Sequence, residues 1–468
     1  MYDASGGDAN RESCLRRKAR EERMDQMTKR STLLAGATKR VVNCEIGDTL
    51  SGQFDPRVCE TIRDDLEANI LYVSSAEHRI ILANLDHLGV FSADYIEACT
   101  RSIAAKTSVP AENVLIFSTH THAGPYAWDV GGNTINVAHL EKMRDALTSG
   151  AAEAVENAAP ANASSAVGTA LIGHNRRFCW SDGSHTMYGD PGRADFIGLE
   201  GPNDPSQAVL ALTGCDGRYT AILHNNCAHS TCVGSGDFAS ADFPGEARQQ
   251  IRSALNAPSL PVLYMQGASG DTCPGAGNRE PRLSAEELLR KSGTLLADET
   301  LRLLEGARCV ETPELSIESL LVEVPVRLPT PEMLDEARRA AASPDTSRMA
   351  RSRAEGQLRV VEEFGDDPVE RPTLHALRVG EFAAAFLPGE LYCQFGLDIK
   401  RRSPFPITAV VQLTGAYRCG YLPTTYGFIG GGYSADLAYS CRSDVTTGYR
   451  FVDEISKLLN TIHSKAQK

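Results

Sequence analysis

The stretch that most constrains this chain is Val114-Leu115-Ile116-Phe117-Ser118-Thr119-His120-Thr121-His122-Ala123-Gly124-Pro125. Its apolar start reads as a buried strand, and Gly-Pro stops it. In an extended strand, residues two apart point to the same side. His120 and His122 are therefore expected to face one pocket at the strand's end. In α/β sheets such ends are where ligand sites form. Two imidazoles on one face suit a metal ion, and satisfied strand-end histidines are the structural alternative.

Other segments repeat this design. Ile70–Val73 and Ile80–Ala83 read as paired strands around a polar turn. Ser92 is placed to cap a helix carrying Tyr95, Ile96, Cys99 and Ile103 on one face. Further strands are expected at Ser165–Ile172, Tyr219–Leu223, Leu260–Met265, Leu315–Val326, Phe382–Leu387 and Ile407–Leu413. Helices are expected over Leu140–Val155, Ser284–Leu304 and Tyr449–Ile462, with a charged, helix-prone insertion over 330–370. Alternation of strands and helices predicts an α/β fold. Residues 1–32 are polar and charged, and read as a flexible arm. Residues 33–468 show no repeat and no Pro- or Gly-rich linker, which favours one domain.

Several of these strands end in polar tips: His120 and His122, Arg176, His229, Asp271, Glu390 and Tyr421. Periodicity cannot say which tips converge. Bulk properties exclude some partners. A net charge of -13 argues against nucleic acid and against anionic membranes. No apolar run reaches the length of about 18 residues that a spanning helix needs. The 13 cysteines include no Cys-x-x-Cys, so a reducing, cytoplasmic setting is expected and a cysteine zinc site is not.

Four segments, in order, resemble the catalytic domain of the neutral/alkaline, non-lysosomal ceramidase family. Ser118–Pro125 is similar to that family's THTHSGP motif. Cys227-Ala228-His229 with Ser240–Gly245 is similar to its CHP…SxDxxG segment. Gly267–Pro274 resembles GDxxP, and Pro388-Gly389-Glu390 with Tyr421–Thr425 resembles PGE…YxxT. The resemblance implies an α/β fold of mixed sheets flanked by helices, and one zinc ion per chain held by His120, His229, Glu390 and Tyr421. Two imidazoles and a carboxylate leave an open position for water on such a zinc. It implies hydrolysis of an amide, with Arg176 in the substrate site. His122, on the same face as His120, is the candidate base or proton donor. Asp271 falls in the GDxxP segment and joins the candidate catalytic residues. Asp86 and Asp242 are candidates to orient ligating histidines through their second nitrogens.

The chain also departs from the family. Cys273 stands where the ceramidases carry a serine. Ceramidases continue into a C-terminal β-sandwich, and this chain is expected to end with the catalytic region. Aromatic content is only 6%, so a soluble small-molecule amide is at least as good an expectation as ceramide in a bilayer. A zinc lyase or cyclase, or a non-catalytic binding protein on the same fold, remains open, as do the native metal and the oligomeric state.

Overall fold

The computed structural model describes residues 33–127, 135–275, 283–310 and 313–465; the arm expected over 1–32 lies outside them. Two sheets form the centre. The larger contains β1 (Leu34–Val41), β2 (Glu67–Ser74), β3 (Arg79–Leu85), β4 (Val114–Ser118), β5 (Ala159–Thr169), β8 (Ser206–Gly214), β9 (Tyr219–Asn226) and β10 (Val262–Gln266). Between β5 and β8 lie two short strands, β6 (Gly173–Asn175) and β7 (Arg177–Trp180). The large sheet runs in the order β10-β9-β8-β5-β1-β2-β3-β4, with β12 (Arg308–Val310) added beside β5. Most neighbours are antiparallel, but β3/β4 and β9/β10 are parallel. The sheet curls until its ends approach: Tyr264 N–H donates to Asn84 Oδ1 at 2.9 Å.

The smaller sheet follows in the chain. It orders β13 (Leu315–Leu321), β14 (Thr373–Val379), β15 (Phe382–Phe386) and β17 (Ile407–Val411), with β15 and β17 parallel. Four two- or three-residue strands form two pairs near the site: β11 (Thr272–Pro274) with β6, and β16 (Glu390–Leu391) with β18 (Tyr421–Leu422).

The sheets pack face to face. Leu82, Leu115, Phe117, Leu210 and Leu263 of the large sheet meet Leu377, Phe382, Ala384 and Phe386 of the small one. Strand alternation then turns Ala383, Ala385 and Leu387 to the opposite side, which the last helix (Thr447–Lys465) covers with Phe451, Ile455 and Leu459. Helices α1 (Ala93–Thr107) and α2 (Val137–Glu156) cover the outer face of β1 to β4, and α3 (Asp242–Ala254) and α4 (Ala285–Gly306) that of β8 to β10. The caps are local: Ser92 accepts from Tyr95 N–H, and Ser284 forms a capping box with Glu287.

The expected strands and helices occur with shifted ends, and residues 330–370 contain the helices Pro331–Ala342 and Arg348–Phe364. The strand expected at Ser165–Ile172 runs instead over Ala159–Thr169. Sequence reading did not identify β1, β8 or β14. In β8 the continuous run Ala208–Leu212 has no period by which strand and helix differ. β14, Thr-Leu-His-Ala-Leu-Arg-Val, is rich in helix formers and is a strand because it lies between two others.

Candidate metal centre

The site lies beyond the C-terminal ends of β4, β9, β10, β15 and β17. Parallel neighbours bring those ends to the same edge. β17 runs on past β10, where Gln412 N–H donates to Gln266 O at 2.9 Å, and Gly415 N–H reaches Ile116 O at 2.7 Å.

His120 reaches the site by a backbone route that strand periodicity does not anticipate. β4 ends at Ser118, and His120 has φ 64°, in the left-handed region. That conformation costs a residue with a Cβ on the order of 1–2 kcal/mol, and it persists only where neighbours enforce it. Here they do. His120 N–H donates to His87 O at 3.0 Å, and Ser230 Oγ donates to Thr119 O at 2.7 Å. Thr121 Oγ1 donates to Ser240 O at 2.6 Å. So His120 and His122 do share a pocket, as expected, but through a left-handed turn and not through strand alternation.

His120, His122 and His229 form a group able to hold a metal ion, with one ring nitrogen of each lying within 4.8 Å of the others. His120 Nε2 is 2.8 Å from His229 Nε2 and 3.4 Å from His122 Nε2. Each Nδ1 faces a main-chain carbonyl: Leu88 O at 2.5 Å for His120, Gly52 O at 2.8 Å for His122, and Ser269 O at 2.9 Å for His229. A carbonyl only accepts, so each Nδ1 carries a proton, and a ring in that tautomer offers its Nε2 lone pair inward. Burial first, then neighbouring charge, holds the His122 and His229 imidazoles well below their ordinary values, which favours the neutral form.

Glu390 completes the set of acceptors. Its Oε2 lies 3.3 Å from His120 Nε2 and 3.7 Å from His229 Nε2, and it is buried without a hydrogen-bond partner. A buried carboxylate oxygen facing imidazole lone pairs is costly unless a cation lies among them. The donor set, nitrogen and oxygen, fits zinc. Parallel pairing of β16 with β18 sets Glu390 beside Tyr421. Burial, with Glu390 beside it, pushes the Tyr421 phenol well above its usual value.

Arg176, between β6 and β7, is also drawn in. Its Nη2 donates to Gly270 O at 2.9 Å and lies 3.4 Å from both His229 Nε2 and the Tyr421 hydroxyl. Six of the residues singled out from sequence therefore converge: His120, His122, Arg176, His229, Glu390 and Tyr421. Of these His122 is the one partly exposed.

Asp271 turns its carboxylate elsewhere. It accepts from Asn175 Nδ2 at 2.8 Å and from Cys393 N–H at 2.6 Å, and burial raises its pKa to about 7. It holds β6 and the helix Cys393–Arg402 against the site. Asp86 and Asp242 do not touch the second nitrogens of the histidines. Asp86 pairs with Arg248 at 2.6 Å in a buried charge network, and Asp242 accepts Val233 and Phe243 N–H groups. Main-chain carbonyls have taken the orienting role. Cys273 is buried in β11, and its thiol is hydrogen-bonded with Tyr188.

Sequence reading missed three residues here. Tyr417 donates its hydroxyl to Glu390 Oε1 at 3.0 Å. Gln412 Oε1 accepts from Ser269 N–H at 3.2 Å and Leu391 N–H at 3.1 Å, and so ties the His229 and Glu390 loops together. Gln266 Nε2 donates to Ala228 O at 2.6 Å. A glutamine at the end of an apolar strand (Gln266 closing β10, Gln412 just after β17) was the available signal.

Two solved structures are similar to this chain in fold: the crystal structure of neutral ceramidase from Pseudomonas aeruginosa, and a ceramidase complexed with C2. Each has a TM-score of 0.72 at 16% sequence identity over 93% of this chain, covering 75% and 76% of the other chains. No protein-family model and no curated protein matches the sequence. The likeness to ceramidases is thus one of fold.

Proposed function

We propose that this chain is a zinc-dependent amidohydrolase that cleaves an N-acyl bond with water. The observation that carries the reading is the inward set of acceptors, three imidazole Nε2 atoms and Glu390 Oε2, with every Nδ1 already committed to a carbonyl. His120, His229 and Glu390 would hold the ion, joined by the Tyr421 oxygen. A zinc ion bound there supplies Lewis acidity and brings the pKa of water from about 15.7 to about 7.

The protein's own groups divide the remaining work. His122 keeps its Nδ1 proton on Gly52 O and presents Nε2, with solvent on one side. It takes a proton from the attacking water and returns one to the departing amine. Arg176 holds a guanidinium beside the cluster, where charge develops on the carbonyl oxygen. The Tyr421 hydroxyl, within reach of Arg176, adds a second polar group on that side. Asp271 acts at a distance, by fixing the Asn175–Arg176 segment through Asn175.

The fold likeness to ceramidases supports an amide as the bond cleaved. We assign the substrate to soluble N-acyl small molecules. No described helix is long and apolar enough to cross a membrane, and the chain's negative charge disfavours anionic bilayers. Every described cysteine is a free thiol, which supports a reducing, cytoplasmic setting. Residues 33–468 would act as one catalytic domain.

The test is zinc content per chain on protein purified without added metal, wild type beside His229→Ala, followed by a screen of N-acyl compounds in ¹⁸O water. About one zinc in the wild type, lost in the variant, and solvent oxygen in the new carboxylate are expected. Zinc retained in both proteins, or no metal uptake by either, contradicts the reading. Turnover without solvent oxygen in the product would point to a lyase or cyclase.

A further inference from the structure

We infer that Tyr417 is a positioning residue that makes Glu390 a one-oxygen ligand. The inference rests on the metal-site reading above. The two oxygens of the buried Glu390 carboxylate are treated differently. Oε1 accepts the Tyr417 hydroxyl at 3.0 Å, and Oε2 is left bare toward His120 and His229. A carboxylate can bind a cation through one oxygen or two. Committing Oε1 to a neutral donor leaves Oε2 for the cation and keeps a second coordination position from being filled by the same side chain.

The loop that carries Tyr417 is built to hold that hydroxyl still. Between β17 and β18, Leu413, Gly415, Cys419 and Gly420 all take left-handed φ, of 54°, 75°, 66° and 67°. Two of these are not glycine, and such a backbone persists only where surrounding contacts enforce it. Tyr417 N–H donates to Phe91 O at 2.9 Å, and Arg442 Nη2 donates to Tyr417 O at 3.2 Å. Arg442 is itself buried against Glu370 at 2.8 Å, and Glu370 Oε2 accepts Cys419 N–H at 2.9 Å. One buried ion pair therefore grips the loop on both sides of Arg418, and the loop delivers the phenol to Glu390.

The experiment uses Co²⁺ as the probe. Wild type, Tyr417→Phe, Glu390→Gln and the double variant are stripped with chelator and titrated with Co²⁺ while visible absorption is recorded. Tyr417→Phe removes one oxygen atom and keeps the ring packing. It is expected to weaken Co²⁺ affinity about tenfold or more. Its visible bands should weaken as Glu390 supplies its second oxygen and coordination rises. In the Glu390→Gln background the same substitution should add nothing, because the effect runs through the carboxylate. Identical affinity and spectrum in wild type and Tyr417→Phe would overturn the inference and leave the metal site standing. An equal loss in the Glu390→Gln background would assign Tyr417 a general packing role and also overturn it. A wild type that binds no Co²⁺ would remove the metal reading and this inference with it.

Discussion

His122 is held between two glycines. A Cβ added at Gly52 would lie 2.5 Å from His122 Cβ, and one added at Gly234 would lie 2.7 Å from the same atom. Gly52 also has φ 93°, so only the Gly234 contact can be tested without backbone strain. Gly234→Ala should push the imidazole aside while His120, His229 and Glu390 stay in place. The expected outcome is unchanged zinc content with turnover down about 100-fold, the order of loss that a 1 Å displacement brings. His122→Ala should go further, by about 10²–10⁴ in kcat, again with zinc retained. Zinc analysis beside kinetics on the amide found by screening checks both. Loss of zinc in His122→Ala would make His122 a ligand and not a base.

Elements matter here through what they aim. Phe117 on β4 packs against Phe386 on β15, with ring centroids 5.5 Å apart, and this contact joins the strand before His120 to the strand before Glu390. Phe386→Ala should cost about 3–5 kcal/mol of stability, read from the denaturation midpoint in urea. Both strands were legible in the sequence because sheet-on-sheet packing buries both of their faces and leaves apolar runs. The buried pair Asp86–Arg248 ties β3 to α3 in the same way, and Glu67 lies 3.2 Å from Arg248 Nε. Asp86→Ala should destabilise by about 3–5 kcal/mol, because it removes the carboxylate that takes the Nη1 and Nη2 donors of a buried guanidinium. Zinc content in the folded variant should match the wild type. The expectation that Asp86 orients a ligating histidine gave way because its carboxylate is taken by Arg248, 162 residues away in the chain.

Across the whole molecule, buried neutral histidines set the acid limit. Burial lowers His87 and His224 to about 3 each, helped by His139 and Arg248 respectively. In the unfolded chain both would protonate near 6.5. Between about pH 6.5 and 3 each of these two histidines therefore holds a proton in the unfolded chain and none in the folded one, and each lowers stability by about 1.4 kcal/mol per unit as pH falls through that window; Asp271, raised to about 7, works the other way down to about 3.9. Thermal unfolding from pH 7 to pH 4 should show a steadily falling Tm. His224→Gln should reduce the slope by about one proton; an unchanged slope would contradict the assignment.

The sequence alone determined the α/β class and the order of the strand-tip residues, because both depend on local periodicity and on short turn signals. The ordered motifs that resemble the ceramidases also marked the six side chains that meet, together with Asp271, whose carboxylate turns elsewhere. The sequence could not supply the left-handed turn at His120, the carbonyls that fix each Nδ1, or the Tyr417 hydroxyl on Glu390. Those depend on partners far away in the chain. Only the closing of the large sheet on the small one brought them within hydrogen-bonding distance.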